Sequence, residues 1–481
     1  MPLRHSDGET DFRIIHNQIG LERHKFPIGP VGPLMAHSPE LQINEKWGNA
    51  MSWDFETDPE FQKELDWIDA FVKEEVEPLD HVLGFPYEVK NPKRNALVRP
   101  LQAEVKKRGL WACHLGPELG GRGYGQVKLA LINEILGRSR FAPTVFGCQA
   151  PDSGNAEILA HYGTQAQKDR YLVPLLDNQI VSCFSMTEPQ GGADPKVFTT
   201  RAELVGDEWV LNGEKWFSSH AHVASFFIVM AVTDPGAGEY NRLSTFIVPA
   251  ETAGIEILRN MPVGSHGEPA HAYMRYNNVR IPRDHLLGAR GGGFVVAQTR
   301  LGGGRIHHAM RTIGQVQKSF ELMCERVLSR ETQGSLLADK QMVQEKIADS
   351  WMEIEQFRLL VLRTAWKIDK YKDYLAVRKD ISAVKALMPK IFHDVAARAL
   401  HLHGSLGVTP DMPFAEQVIE SFHMGLADGP TEVHKVTVAR QLLRERHGTN
   451  GLFPTQYIPA LRDAAIAKYA EQIEQKVISA A

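Results

Sequence analysis

The sequence predicts an α+β fold in three blocks: an all-α N-terminal domain, a small middle β domain and a C-terminal part resembling a four-helix bundle. Three observations predict it. Apolar residues recur at helical spacing from about residue 58, alternating strand-length runs begin near residue 181, and the helical period returns after Gly291-Gly292-Gly293. The expected boundaries are 1–55 for an extended N-terminal arm, 56–180 for the α domain, 181–290 for the β domain, 291–447 for the bundle and 448–481 for a helical tail.

Each block follows from local text. Pro27, Pro30, Pro33 and Pro39 stand among glycines in the arm, where neither helix nor strand is expected. Asp58-Pro59 reads as a helix cap followed by proline at the first position, and Phe61, Leu65, Ile68, Phe71 and Val72 continue the period. Further helices are expected near 97–109, 126–138 and 154–176. In the middle block a strand from Phe198 to Leu204 turns at Gly206-Asp207, and Asn212-Gly213 predicts a second hairpin turn of a meander. FFIVMAV, STFIVPA and AYMRYNNVRI are three more strands. The last block predicts helices near 295–330, 340–371, 378–403 and 431–446, with Pro389 kinking or restarting the third. One further helix is expected from Ile458 to Ile478.

Composition bounds the function. The 43% apolar and 23% charged shares belong to an ordinary globular chain, and a net charge of −4 without a basic stripe excludes a nucleic-acid binder. No run approaches the roughly 20 apolar residues of a membrane span. Cys113, Cys148, Cys183 and Cys324 show no paired spacing, and MPLRHSDGETDF has no apolar leader, so a reducing, cytoplasmic setting is expected.

The chemistry concentrates in separated motifs. FSMTEPQGGAD at 184–194, NGEKWFSS at 212–219 and IPRDHLLG at 281–288 together resemble the acyl-CoA dehydrogenase family, and the resemblance runs from about residue 55 to 447. It implies FAD as cofactor. A flavin needs donors along its ring edge and small residues where the chain nears the pyrophosphate. The resemblance assigns Phe184, Met186 and Thr187 to the flavin, with Phe217-Ser218-Ser219 as the wall against it. A Ser can donate to the ring edge there and Phe supplies the apolar face. Ala193 stands where the family keeps a Ser, which removes a hydroxyl from the substrate side. Arg330 and Gln341, with His401, Gly404 and Ser405 of HLHGSLG, align with residues that reach FAD from a neighbouring subunit, so a dimer or tetramer is implied. Gln333 stands where the family keeps Phe.

LGGGR at 301–305 lacks the Lys-Ser/Thr of a phosphate loop, and no strand precedes it. Arg305 aligns with an arginine at the substrate mouth. GGGRIHHAMRTIG and the DGP-x-EVH pattern at 428–434 resemble the branch of family members ten and eleven. No metal site is expected: adjacent His307 and His308 point to different faces, and they read as core or surface residues, as do His401, His403, His266 and His271.

The reaction implied is α-proton abstraction from an acyl-CoA with β-hydride transfer to the flavin, giving a trans-2-enoyl-CoA. The proton step needs a carboxylate in a water-poor pocket. The family's Glu aligns with Asp428, whose competing role is to cap the helix that follows. Glu432 is the lesser candidate for the base. The resemblance also places Pro430 and Glu432 near the cofactor, and Gly429 and Arg440 near the substrate. An electron-transfer flavoprotein is the expected acceptor. The same fold also serves nitroalkane oxidases, which use an Asp base, and acyl-CoA oxidases. A non-catalytic, FAD-stabilised subunit is the reading from another class.

Overall fold

Asp58 accepts a hydrogen bond from the Phe61 amide and Pro59 opens the first described helix, which starts where its capping text stands. The computed structural model describes residues 56–119, 121–263, 271–449 and 451–478. The expected N-terminal arm and His266 lie outside them. Asp58–Ala481 is one unit, separate from Met1–Thr57, and every element below belongs to it.

Four longer helices make the N-terminal layer: α1 (Pro59–Phe71), α2 (Pro92–Lys107), α3 (Gly125–Leu136) and α4 (Asp152–Tyr162). The middle block is a mixed eight-stranded sheet. Its strands are β1 (Ser182–Ser185), β2 (Arg201–Val205), β3 (Glu208–Ser219), β4 (Phe226–Val232), β5 (Leu243–Pro249), β6 (Ile255–Met261), β7 (His271–Pro282) and β8 (Leu286–Leu287). The order β6-β7-β3-β2-β4-β5-β8, with β1 parallel to β4, is not the predicted meander.

The predicted turn at Asn212-Gly213 is also absent: β3 runs straight through it with a bulge. Gly213 is there for a close approach. With φ at +146°, a Cβ on it would lie 2.5 Å from the Thr200 hydroxyl. Asn212 instead accepts from the Asn278 amide on β7. Long-range packing has overridden a local turn signal.

Strands β4 and β5 are buried along their whole length. Phe227, Val229 and Ala231 face a core with Trp209 and Phe246, while Phe226 and Ile228 face Ile158, Leu159 and Val296. Met230 and Val232 pack on Ala297. This period-two division clamps the start of the long helix α5 (Gly293–Ser329) against the sheet, and so fixes what its next turns carry.

The bundle adds α6 (Gln341–Tyr371), α7 (Arg378–His403), α8 (Phe414–Leu426) and α9 (Thr431–Arg444), with a small hairpin of β9 (Glu331–Thr332) and β10 (Ser335–Leu336). Helix α8 has no counterpart in the sequence reading. Pro389 starts no new segment: α7 continues through it, held by buried Met388, Ile391 and Phe392 on either side. Ile306, Met310 and Ile313 of α5 and Phe357 of α6 share a core with Phe61, Ile68 and Leu129, so the two helical blocks pack as one. The tail forms two helices, α10 (Ile458–Lys468) and α11 (Ala470–Ile478), broken at Tyr469, where one was expected. Among the described residues no helix is long and apolar enough to cross a membrane.

Candidate active site

Between α8 and α9 the chain turns through Asp428 at φ +54° and Gly429 at φ +105°. An aspartate tolerates this left-handed backbone better than most residues. Asp428 does not cap α9, which starts at Thr431 with Pro430 as its N-cap and no side-chain cap bond. Its carboxylate turns into the bundle, where the side chain is 16% exposed and 3.8 Å from both Arg300 Nη1 and His308 Nε2. Its carbonyl accepts from Arg305 Nε at 2.9 Å and faces His434 Nε2 at 3.3 Å. Lys385 Nζ donates to the carbonyls of Met424 at 2.5 Å and Gly429 at 3.5 Å, tying both sides of the turn. Among the described residues no acceptor takes the Asp428 peptide N–H.

Burial opposes the ionised form of Asp428, but His308 and the cations Arg300, Arg305 and Lys385 outweigh it and hold the carboxyl below the ordinary aspartate range. Burial drives His308 itself down to about 4 and Lys385 to about 8. At neutral pH the charged company of the base is therefore Arg300, Arg305 and Lys385.

The three glycines of α5 explain how this group finds room. Each costs about 1 kcal/mol against alanine in a helix. A Cβ on Gly304 would lie 2.9 Å from Asp428 Oδ2, one on Gly303 3.1 Å from Glu157 Oε2, and one on Gly302 3.4 Å from the Tyr374 ring. They form the floor under the carboxylates. Gly304→Ala is expected to keep or raise the melting temperature, yet slow flavin reduction at least tenfold by displacing Asp428 (about 1 Å of misplacement costs about 100-fold). Stopped-flow absorbance beside calorimetry checks both.

Arg300 binds this floor together. It lies 4.3 Å over the Phe184 ring and donates to Asn155 Oδ1 at 2.9 Å. Burial pushes Glu157 up to about 7 and Asp152 up to about 6, with Arg300 opposing both. Glu157 titrates near 4.3 in the unfolded chain, so the folded chain holds its proton longer. The stability from Glu157 is complete below that value and is lost as pH rises through about 7. Glu157→Gln should therefore match the parent near pH 4 and exceed it at pH 8 by about 3 kcal/mol. Chemical denaturation at the two pH values measures the difference.

The flavin-side residues come from β1, the loop after it and the end of β3. Phe184 and Met186 are half-buried, and the Thr187 carbonyl accepts from the Trp216 amide at 2.8 Å. A buried ion pair holds this loop: Lys215 Nζ reaches Glu188 Oε1 at 2.9 Å and the Met186 carbonyl at 2.8 Å. Glu188 also accepts from the amides of Thr199 and Thr200. Gly191 has no room for a side chain, since a Cβ would meet Val197 at 2.3 Å. Phe217, at φ +52°, leaves its ring 45% exposed, while the Ser218 hydroxyl is spent on Ser185 at 2.9 Å. Ser219 is half-buried, and the Thr187 hydroxyl has no partner among the described residues. An exposed aromatic face flanked by hydroxyls and a tight glycine loop fits a flat heteroaromatic ring with a hydrogen-bonding edge, as FAD has.

Other expected residues stand elsewhere. Arg330 follows the last turn of α5, about 39 Å from Gly304 along the helix axis at 1.5 Å per residue. Gln341 opens α6 and His401 lies in the last turn of α7, with Gly404 and Ser405 just beyond. Met323, Val327, Val343, Ala399 and Leu402 bring these helix ends together at the far end of the bundle. Ala193, Glu432 and Arg440 are exposed, on the loop after β1 and on α9. Sequence reasoning missed Arg300, His308, Lys385, the Glu188–Lys215 pair and Glu157. In the sequence His308 reads as a plain core or surface residue. Glu188, Lys215 and His308 left a signal as members of FSMTEPQGGAD, NGEKWFSS and GGGRIHHAMRTIG, as His434 did in DGP-x-EVH.

Comparisons with known proteins bear on this arrangement. The N-terminal, middle and C-terminal domains of acyl-CoA dehydrogenase match residues 58–179, 183–279 and 291–443. The chain is 38% identical over 399 residues to the probable acyl-CoA dehydrogenase FadE2 of Mycobacterium tuberculosis, covering 82% of this chain and 94% of that protein. It is 39% identical over 355 residues to acyl-CoA dehydrogenase family member 11 of Gallus gallus, covering 72% of this chain but 45% of the relative. The chain thus spans about half the length of that relative. A solved structure from Mycobacterium abscessus, named as a putative acyl-CoA dehydrogenase, is 37% identical with a TM-score of 0.76, covering 81% of this chain and all 100% of that one. Butyryl-CoA dehydrogenase of Megasphaera elsdenii is 25% identical with a TM-score of 0.69, over 81% of this chain and 100% of its own. The chain belongs to the acyl-CoA dehydrogenase family, as an FAD-dependent oxidoreductase acting on acyl-CoA.

Proposed function

We propose that the chain oxidises an acyl-CoA to the trans-2-enoyl-CoA with Asp428 as the base. The observation that carries this reading is a half-buried, ionised carboxylate over a glycine floor, with its own peptide N–H unspent. Asp428 Oδ takes the α proton, and its N–H together with the turn around Gly429 holds the thioester oxygen as charge develops there. FAD, when bound, accepts the β hydride. Phe217 and the Phe184 side of the site wall off water, Ser219 and Thr187 offer hydroxyls to the ring edge, and Arg305 fixes the turn that carries the base. An electron-transfer flavoprotein is the electron acceptor in this reading.

A homo-oligomer completes the cofactor site. Support comes from Arg330, about 39 Å along α5 from the base, with Gln341, His401, Gly404 and Ser405 at the same end of the bundle, out of reach of the same flavin within one chain. Exposed Trp351, Phe422, Leu426 and Leu443 on the bundle surface fit burial between copies. Pro430, Glu432 and Arg440 keep their assigned places beside cofactor and substrate as part of the same proposal.

Anaerobic titration of the FAD-loaded protein with butyryl-, octanoyl- and palmitoyl-CoA tests the reading. Bleaching of the flavin band near ~450 nm, a property of the cofactor, by one of them is the expected result and sets the chain-length class. Bound flavin that none of them bleaches would exclude simple acyl-CoAs as substrates and favour a nitroalkane oxidase or a non-catalytic subunit.

A further inference from the structure

One polar group beside the flavin wall has no part in the reaction described above. Ser219 and His271 face each other across the β3–β7 pairing, and Ser219 Oγ lies 3.0 Å from His271 Nδ1. The His271 ring is 5.4 Å from the ring of Phe217 and is buried, and its Nε2 has no partner among the described residues. The His423 ring packs edge-on against it at 5.3 Å, and His423 Nδ1 lies 3.1 Å from Glu420 Oε2.

Only one of the two neutral forms of His271 suits these neighbours. Burial first, then the charge of His423, pushes His271 down to about 4, so its ring is neutral at working pH. His423 is raised above its ordinary value because Glu420 outweighs its burial. A proton on Nε2 would be a buried donor without an acceptor among the described residues. A proton on Nδ1 is used by Ser219 Oγ and leaves Nε2 with only a lone pair, so no donor is stranded. Ser219 then accepts from His271, and its own hydroxyl hydrogen is free for another acceptor.

We infer that His271 is a positioning residue that, as its Nδ1–H tautomer, makes Ser219 an obligate hydrogen-bond donor toward the flavin edge. This rests on the reading of Phe217-Ser218-Ser219 as the flavin wall.

The test uses the full, FAD-loaded chain labelled with ¹⁵N-histidine, and the variants His271→Asn, His271→Gln and Ser219→Ala. Asparagine puts its amide near Nδ1 and glutamine near Nε2. Long-range ¹H–¹⁵N correlation should show His271 as the Nδ1–H tautomer. H271N should keep the parent flavin spectrum and reduce within about twofold of the parent rate, whereas H271Q and S219A should share one displaced spectrum and slow about tenfold, the size of one neutral hydrogen bond. An Nε2–H tautomer, or H271Q behaving as parent while H271N does not, overturns the role. Should both histidine variants fail to fold, the tautomer and the S219A spectrum still decide. A chain that retains no FAD overturns the dehydrogenase reading and this role together. A chain that retains FAD with the wrong tautomer overturns this role alone.

Discussion

Asp428→Asn yields a protein that folds, retains FAD and is not bleached by acyl-CoA, with flavin reduction slowed about 10³-fold or more (a positioned general base supplies about 10²- to 10⁴-fold). Asparagine keeps the size of the side chain, tolerates φ +54° and leaves the peptide N–H in place. Substrate should therefore still bind and perturb the flavin spectrum without reducing it. The variant also loses stability, with a definite sign. The folded pKa of Asp428 lies below its unfolded value, so its contribution is complete above about pH 4 and fades as pH falls through the folded pKa. Without that charge, Arg300, Arg305 and Lys385 lose the carboxylate that offsets their own charge. D428N should be less stable than the parent at pH 7, and the gap should close in acid. Stopped-flow bleaching at the parent rate in D428N would remove the base assignment outright.

The long helices were legible because each repeats one rule many times. Val343, Ile354, Val361 and Ile368 mark the α6 period, and the buried face falls where they stand. Short signals fared worse. Asn212-Gly213 speaks for a turn on two residues, and the Thr200 contact plus pairing to β7 overrule it. Pro389 breaks one backbone bond in a helix packed on both sides. In the site, Asp428 was found through a contiguous motif. Apart from His434, the groups around it come from α5 and α7, more than 40 positions away at the nearest, and no spacing rule joins them. Arg300 and Lys385 look like any helix cation in the sequence, and burial alone distinguishes them. Glu157 likewise becomes unusual only where α4 meets Gly303.

The largest loss of stability is expected from Lys215→Met. Lys215 and Glu188 are 0% and 1% exposed at the side chain and 2.9 Å apart. Burial would push Glu188 up, and Lys215 first, then the hydrogen bonds from Thr199 and Thr200, hold it below its ordinary range, so removing Lys215 leaves a buried carboxyl without its cation. Truncating one member of a buried pair costs about 3–5 kcal/mol, because the other charge is left unpaired out of water. The damage is also local to the flavin, since Lys215 holds the Met186 carbonyl and Glu188 holds the far side of the same loop. K215M should therefore lose FAD at concentrations where the parent keeps it. Replacing both, as E188Q with K215M, removes the stranded charge and should recover most of the stability, since well-packed neutral groups replace buried pairs at little cost. FAD affinity should recover less, because the Met186 carbonyl remains without its donor. Urea denaturation of the four proteins in the double-mutant cycle, with FAD release followed by fluorescence, separates the two effects. A single-variant loss under about 1 kcal/mol would mean that water reaches Glu188. The ion pair would then not be what shapes the loop that meets the cofactor.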